Sequence, residues 1–281
     1  MTWSCDWPAP AKINRFLHIV GRRADGYHCL QTLFQFVEPA DRLDFAVTDA
    51  PDIAREGGLA DLAPEADLAV RAASVLQHAA GVRRGVRIRL EKRIPAGGGL
   101  GGGSSDAATV LVALNKLWAC GLDASQLGTL AVELGADVPV FIRGRAAWAE
   151  GIGDELTPVV ADEPWLVLAD PGVAVNTGAV FRDAKLTRQS AHITIRDLEA
   201  GAAGNDCEAV VRRMHPAVGR ALDILGEHGP VRLTGTGGCL FGRFDSRAAA
   251  NAAAAAVGAR LRTWVCQARN RSPLLDRLRA E

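Results

Sequence analysis

The sequence predicts a protein of mixed α and β structure, and three observations carry that expectation. Val86, Ile88 and Leu90 alternate with Arg87, Arg89 and Glu91, the two-residue period of a strand buried on one face. Leu68, Ala72, Val75, Leu76 and Ala79 recur at the spacing of one helical face. Strand-like and helix-like segments then keep alternating to the end of the chain. Its 281 residues suit two modest domains or one large one.

Taken in order, Ile13, Phe16, Leu17, Ile19 and Val20 are apolar but too irregular in spacing to assign to either element. Arg22 to Tyr27 (RRADGY) reads as a turn, because Asp-Gly supplies residue types that tolerate positive φ. Leu33, Phe34, Phe36 and Val37 suggest a buried strand, and Leu43, Phe45 and Val47 alternate clearly after it. Residues 50–64, rich in Gly, Pro and Asp, read as a loop, and the helix over 68–79 and the strand at 86–90 follow. Ala107, Val110, Leu111, Leu114 and Trp118 mark the core face of a helix, and a second helix with Asp123 as N-cap runs to about Gly135.

Beyond Pro158 a strand is expected at 165–169 and a turn at Asp170-Pro-Gly172. Residues 231–241 read as two strands meeting at a glycine turn, 248–257 as an alanine-rich helix and 263–268 as a last strand. A short Pro- and Asp-containing stretch places a domain boundary near 158, dividing the chain into 1–157 and 158–281.

Lysine plus arginine number 32, as do aspartate plus glutamate, so no general charge draws the chain to nucleic acid or to an acidic membrane. Any anion must be held locally. Six scattered cysteines form no C-x-x-C pair, which speaks against zinc sites and disulfide frameworks; no protein-built metal site is expected. The start of the chain lacks a signal-peptide pattern, and no apolar run approaches the roughly 20 residues that span a bilayer. A soluble, cytoplasmic protein is expected, as a monomer or weak homodimer.

The strongest local signal is Pro95–Asp106, PAGGGLGGGSSD. Six glycines (Gly97, Gly98, Gly99, Gly101, Gly102, Gly103) lie within seven residues between a strand and an amphipathic helix. They expose backbone N–H groups with no Cβ in the way, and the helix adds the positive end of its dipole. Ser104 and Ser105 add hydroxyls at its first turn. This suits a polyphosphate better than a flexible linker, since so many ordered glycines cost heavily in entropy. The familiar phosphate loops do not fit. Gly97, Gly99 and Gly102 match G-x-G-x-x-G, but nearly 100 residues too far into the chain for a dinucleotide fold. No lysine lies in the loop for a Walker motif, and the H-R-D and D-F-G signatures of protein kinases are absent.

Pro95–Asp106 does resemble the central motif of the GHMP kinases, the superfamily of galactokinase, homoserine, mevalonate and phosphomevalonate kinases. Two further stretches fit in the expected order: Pro8-Ala-Pro-Ala-Lys-Ile-Asn14 near the start and Leu233-Thr-Gly-Thr-Gly-Gly-Cys239 near the end. Arg23–Phe36 and Leu134–Phe141 bring the sequence nearest to a branch whose alcohol substrate carries a cytidine diphosphate group. The resemblance implies an α+β GHMP kinase fold. Its N-terminal domain would be ribosomal-protein-S5-like, with a left-handed β-α-β unit, and its C-terminal domain ferredoxin-like.

It also implies ATP bound along Pro95, Ala96, Gly97–Gly99, Leu100, Gly101–Gly103, Ser104 and Ser105, with Mg²⁺ on its phosphates. Thr236 and Gly237 would close on the phosphates, though a plain hairpin turn uses the same residue types. Lys92 resembles a lysine near the nucleotide, unless the strand simply ends there. Asp67 stands where asparagine is expected near adenine. Lys12 and Asp137 correspond to the catalytic pair. A lysine beside a carboxylate favours its ionised form, so Asp137 is expected to take the substrate hydroxyl's proton. Tyr27 and Phe181 would stack on the cytosine and His28 hydrogen-bond its edge, with Asn14 and Thr177 nearby. Three other readings remain at this point: a sister kinase for another alcohol, a catalytically dead nucleotide-binding or regulatory protein, and, more distantly, a glycine-loop oxidoreductase.

Overall fold

The computed structural model describes residues 2–59, 62–199, 201 and 203–281. Two long strands, β1 (Ser4–Arg22) and β2 (His28–Thr48), pair antiparallel along most of their length, closing through the Arg22–Tyr27 turn with Arg22 opposite His28. Register shifts between Ser4 and Trp7, Pro10 and Ala11, Asn14 and Leu17, and Ile19 and Gly21 explain why β1 has no readable period. Where the extra residue lies on β1, as at 4–7, 14–17 and 19–21, the bulge turns the side chains that follow to the other face. Alternation is also erased because Ala9, Ala11, Ile13, Phe16, Leu17 and Ile19 are all buried.

The other edge of β2 is shared. Thr32–Phe34 pair with β5 (Ala147–Glu150), and Arg42–Thr48 pair with β4 (Gly85–Glu91). A fourth pairing joins β4 in parallel to β3 (Ile53–Gly57), which lies inside the segment read as a loop. β3 is a short, charged edge strand, IAREG, so neither composition nor alternation marks it. Between β3 and β4 runs α1 (Leu68–Ala79), giving a parallel β-α-β unit. The sheet ends with β6 (Glu155–Pro158) on β5.

Helix α2 (Gly102–Leu117) packs on α1 and β1 and is buried from Ser105 through Leu114. α3 (Ala124–Leu134) starts from Asp123, whose carboxylate accepts from Ser125 and Gln126 N–H in a capping box. α4 (Val138–Arg143), a single buried turn and a half, then packs against both.

A second, four-stranded antiparallel sheet follows in the order β10-β7-β9-β8, from β7 (Trp165–Asp170), β8 (Val231–Leu233), β9 (Leu240–Phe244) and β10 (Arg262–Gln267). The helices α5 (Thr177–Arg182), α7 (Glu208–Met214), α8 (Pro216–Gly226) and α9 (Arg247–Val257) belong to this half, whereas α6 (Ile195–Glu199) packs Leu198 against Phe16, Leu33 and Trp148 of the first sheet. Leu17 and Ile19 of β1 enter its core beside Val167 and Ala169. Ala11 and Ile13 share another cluster with Leu166, Leu168 and Phe241. β1 is thus the spine between the two sheets, and the last helix, α10 (Leu274–Ala280), returns to it. The α+β architecture expected from the sequence is the one observed.

Candidate active site

Helix α2 begins inside the glycine motif, so Gly102, Gly103, Ser104 and Ser105 form its first turn. Its N-cap is Gly101, in the left-handed region at φ 73° with no side-chain cap, which leaves the first-turn N–H groups for a ligand. The earlier half of the loop is stitched to the third motif. Gly238 N–H donates to the Gly97 carbonyl (3.1 Å) and Cys239 N–H to that of Gly98 (3.0 Å). A Cβ on Gly237 would lie 1.9 Å from the Gly99 nitrogen. Those glycines therefore serve backbone-to-backbone packing first. Gly103 is different: a Cβ there would meet nothing nearer than Leu68 Cδ1 at 3.6 Å. It opens on a cavity of about 370 Å³ walled by Leu59, Asp67, Leu68, Lys92 and the loop from Pro95 through Ala96, Leu100 and Ser104.

Lys12 and Asp137, 125 positions apart in the chain, meet with Lys12 Nζ 3.1 Å from the carboxylate. Lys12 is placed by β1, whose backbone N–H at this position donates to the Leu100 carbonyl (2.9 Å). Its ammonium also donates to Asn14 Oδ1 (2.7 Å) and sits 5.0 Å above the Phe34 ring. Asn14 is held in turn by Thr32 Oγ1 through its amide and by Thr234 Oγ1 through its backbone, both 3.0 Å away. Asp137 precedes α4 and has Pro139 just behind it. The two side chains differ in exposure, 4% for Lys12 and 37% for Asp137, so the carboxylate is the member a substrate can reach.

Lys92 lies one residue past β4 and is clamped by two buried carboxylates, Asp41 and, at 2.6 Å, Asp106. Asp41 also accepts from the Arg93 and Ile94 N–H groups, tying the loop entrance to β2. Burial alone would lower the lysine pKa, but the two carboxylates outweigh it and the net shift is upward. Burial pushes the Asp106 carboxyl up to about 7; Lys92 opposes this and Asp41 adds to it. Beside it, Ser105 Oγ is buried without a hydrogen-bond partner among the described residues. Asp67 caps α1 through Ala69 N–H (2.8 Å) and pairs with Arg55 (2.7 Å), so its carboxylate is already engaged where it borders the cavity.

A second cavity, about 560 Å³, is walled by Tyr27, His28, Ala136, Thr177, Phe181 and Arg188, among others. Tyr27 is 62% exposed, leaving its ring free for a ligand. The rings of His28 and Phe181 stack 5.1 Å apart at 21°. Thr177 Oγ1 is 2.7 Å from Thr236 Oγ1, which links this cavity to the third motif. Ala136 is its nearest wall to Asp137. Arg188 was given no role by the sequence, nor were Asp41, Thr32 and Thr234. Only position within the glycine motif could have singled out Asp106.

An uncapped helix start facing a cavity, a buried lysine with a reachable carboxylate, and a separate aromatic pocket are the arrangement expected of a small-molecule kinase. Family models agree: "GHMP kinases N terminal domain" matches residues 67–145 and "GHMP kinases C terminal" matches 184–263. Among curated proteins, a 4-diphosphocytidyl-2-C-methyl-D-erythritol kinase of Alkalilimnicola ehrlichii is 52% identical over 281 residues, covering 100% of this chain and 97% of the relative. One from Halorhodospira halophila is also 52% identical, over 97% and 95%. A crystal structure of 4-(cytidine 5'-diphospho)-2C-methyl-D-erythritol kinase superposes with TM-score 0.81 at 36% identity, covering 95% of this chain and 99% of that one. A mevalonate kinase structure, 13% identical with TM-score 0.69 over 95% and 100%, shares the fold. The chain belongs to the 4-diphosphocytidyl-2-C-methyl-D-erythritol kinase family of the GHMP kinases.

Proposed function

We propose that the protein transfers the γ-phosphoryl group of ATP to the 2-hydroxyl of 4-diphosphocytidyl-2-C-methyl-D-erythritol. The products are ADP and the 2-phosphate, in the non-mevalonate route to isoprenoid precursors. One observation carries this reading beyond the likeness to relatives: the Lys12–Asp137 pair links the two cavities. Lys12 reaches the phosphate loop, where its Cε lies 3.1 Å from the place of a Cβ on Gly101. Asp137 directly follows Ala136, a wall of the aromatic pocket.

In the reaction the substrate hydroxyl oxygen bonds to the γ-phosphorus, and the β–γ bridging bond breaks with its electron pair going to ADP. The hydroxyl proton goes to the Asp137 carboxylate. Lys12, held in place by Asn14, stabilises negative charge on the phosphoryl oxygens in flight. First-turn N–H groups of α2 and the hydroxyls of Ser104 and Thr236 hold the ATP phosphates, and Lys92 borders the same cavity. Tyr27 and Phe181 take the cytosine between or against their rings and His28 reads its edge, with Thr177 beside it.

Among the described residues no group of three His, Cys, Asp or Glu side chains is placed to hold a metal. Mg²⁺ fits as an ion carried mainly by the ATP phosphates, where it would neutralise their charge; Ser104 and Asp106 are the oxygen-bearing residues of α2 on the cavity wall, with the buried, unpartnered Ser105 hydroxyl between them. Residues 1–157 and 158–281 form two domains in this reading, the change of sheet falling between Pro158 and Trp165. A cytoplasmic location belongs to the same proposal; no helix among the described residues is long and apolar enough to cross a membrane.

The test is substrate profiling by ADP release. Release that depends on the cytidine compound, and not on homoserine or mevalonate, supports the reading. Equal or greater release with either of those alcohols overturns the substrate.

A further inference from the structure

The guanidinium of Arg188 reaches across the aromatic pocket and donates through Nε to His28 Nε2 at 3.1 Å. Its remaining donors hold the far wall: Nη1 to the Leu186 carbonyl (3.1 Å), Nη2 to those of Phe181 (3.1 Å) and Asp183 (2.7 Å). Arginine carries only donors and is not deprotonated in proteins. A ring nitrogen that accepts from it must therefore be bare, and the single hydrogen of the neutral imidazole must sit on Nδ1. Among the described residues Nδ1 has no hydrogen-bond partner.

We infer that Arg188 is a positioning residue that sets base specificity, by fixing His28 as the Nδ1–H tautomer and so selecting cytosine over uracil. The inference rests on the proposed reading of this pocket as the base site. The selection follows from the two base edges: N3 of cytosine is an acceptor, whereas N3 of uracil carries a hydrogen. A fixed Nδ1–H donor completes a hydrogen bond with the first and faces another donor in the second. Burial, then the charges of Arg188 and Arg22, lower the His28 pKa, which keeps the ring neutral and the tautomer meaningful. Phe181, stacked on the same ring and held by its carbonyl to Arg188, keeps the imidazole plane from turning.

The experiment compares the wild type, Arg188→Lys and Arg188→Gln, using ATP with the cytidine substrate and with its uridine counterpart. The His28 tautomer is followed by ¹⁵N NMR of histidine-labelled protein. In the wild type, kcat/KM favours the cytidine compound by about 10- to 100-fold, the scale of one hydrogen bond exchanged for a donor–donor clash. Arg188→Gln, whose amide can donate or accept, mixes the tautomers and cuts that preference about tenfold or more. Arg188→Lys keeps a pure donor and restores most of it.

A merely structural role for Arg188 in the 181–188 segment gives another pattern. KM then rises for both compounds in parallel in both variants, with the preference and the Nδ1–H signal unchanged, and that result overturns the inference. So does a wild type indifferent to the base. No turnover of the cytidine compound by the wild type refutes the reading of the function instead, so the two failures are distinguishable.

Discussion

Replacing Asp137 with asparagine keeps the shape of the side chain and removes its charge and its capacity to take a proton. Two consequences follow from the geometry. The Lys12 ammonium loses an ionic partner at 3.1 Å, but it keeps Asn14 Oδ1 at 2.7 Å and gains the new amide oxygen as an acceptor. Because Asp137 is 37% exposed, the pair is partly screened, and the loss of stability should be about 1 kcal/mol. Turnover is affected far more. A positioned general base contributes about 10²- to 10⁴-fold, or about 3–5 kcal/mol of barrier. ATP affinity should stay within about threefold, since Asp137 does not line the loop cavity and separated sites act nearly independently. The assay is ADP release under saturating substrates, alongside calorimetric titration with ATP and a thermal melt of the same preparation. A variant that turns over within a few-fold of wild type refutes the assignment of Asp137 as proton acceptor. One that loses ATP binding and turnover together refutes the separation of roles between pair and loop.

Other perturbations probe the remaining parts. Gly237→Ala would drive a Cβ to 1.9 Å from the Gly99 nitrogen, so it should separate the loop from the third motif and weaken ATP at least about tenfold, read by titration; unchanged ATP affinity would contradict the packing role. Tyr27→Ala and Phe181→Ala should each raise KM for the cytidine substrate about 5- to 100-fold while leaving ATP affinity alone, on the scale of one base–aromatic stack; an unchanged KM would remove that ring from the base site. Asp106 gives a pH signature. Its carboxyl, lifted from 3.8 to about 7, favours the folded state most below the unfolded value, a contribution of at most about 4 kcal/mol that fades as pH rises through 7. Urea unfolding at pH 5 and pH 8 should therefore show a steeper loss for wild type than for Asp106→Asn, and equal losses would contradict the raised carboxyl.

The sequence exposed those elements in which one face is buried and the other wet. Val86–Leu90, Leu68–Ala79 and the α3 helix with its Asp123 cap fall within a residue or so of expectation. It hid β1 because a bulged strand buried between two sheets has no period to read, and β3 because a charged edge strand in a Gly- and Asp-rich stretch resembles a loop. For the site, the glycine run marked the loop and helix start that wall the first cavity. Pairing Lys12 with Asp137 needed the family motifs, since no local pattern links a residue of β1 to the residue before α4, 125 positions on. Arg188 and Asp41 were illegible for the same reason: each acts through long-range contacts, Arg188 on His28 and Asp41 on Lys92, Arg93 and Ile94, in segments without a motif of their own.

The central claim is that the cavity at the α2 start and the aromatic pocket serve a single transfer across the Lys12–Asp137 pair. ³¹P NMR of a reaction containing the protein, ATP, Mg²⁺ and 4-diphosphocytidyl-2-C-methyl-D-erythritol tests it most directly. The account predicts a new phosphomonoester resonance growing in step with ADP while the diphosphate signals of the substrate persist. ADP accompanied only by inorganic phosphate, or no ADP from protein that binds ATP, would contradict it.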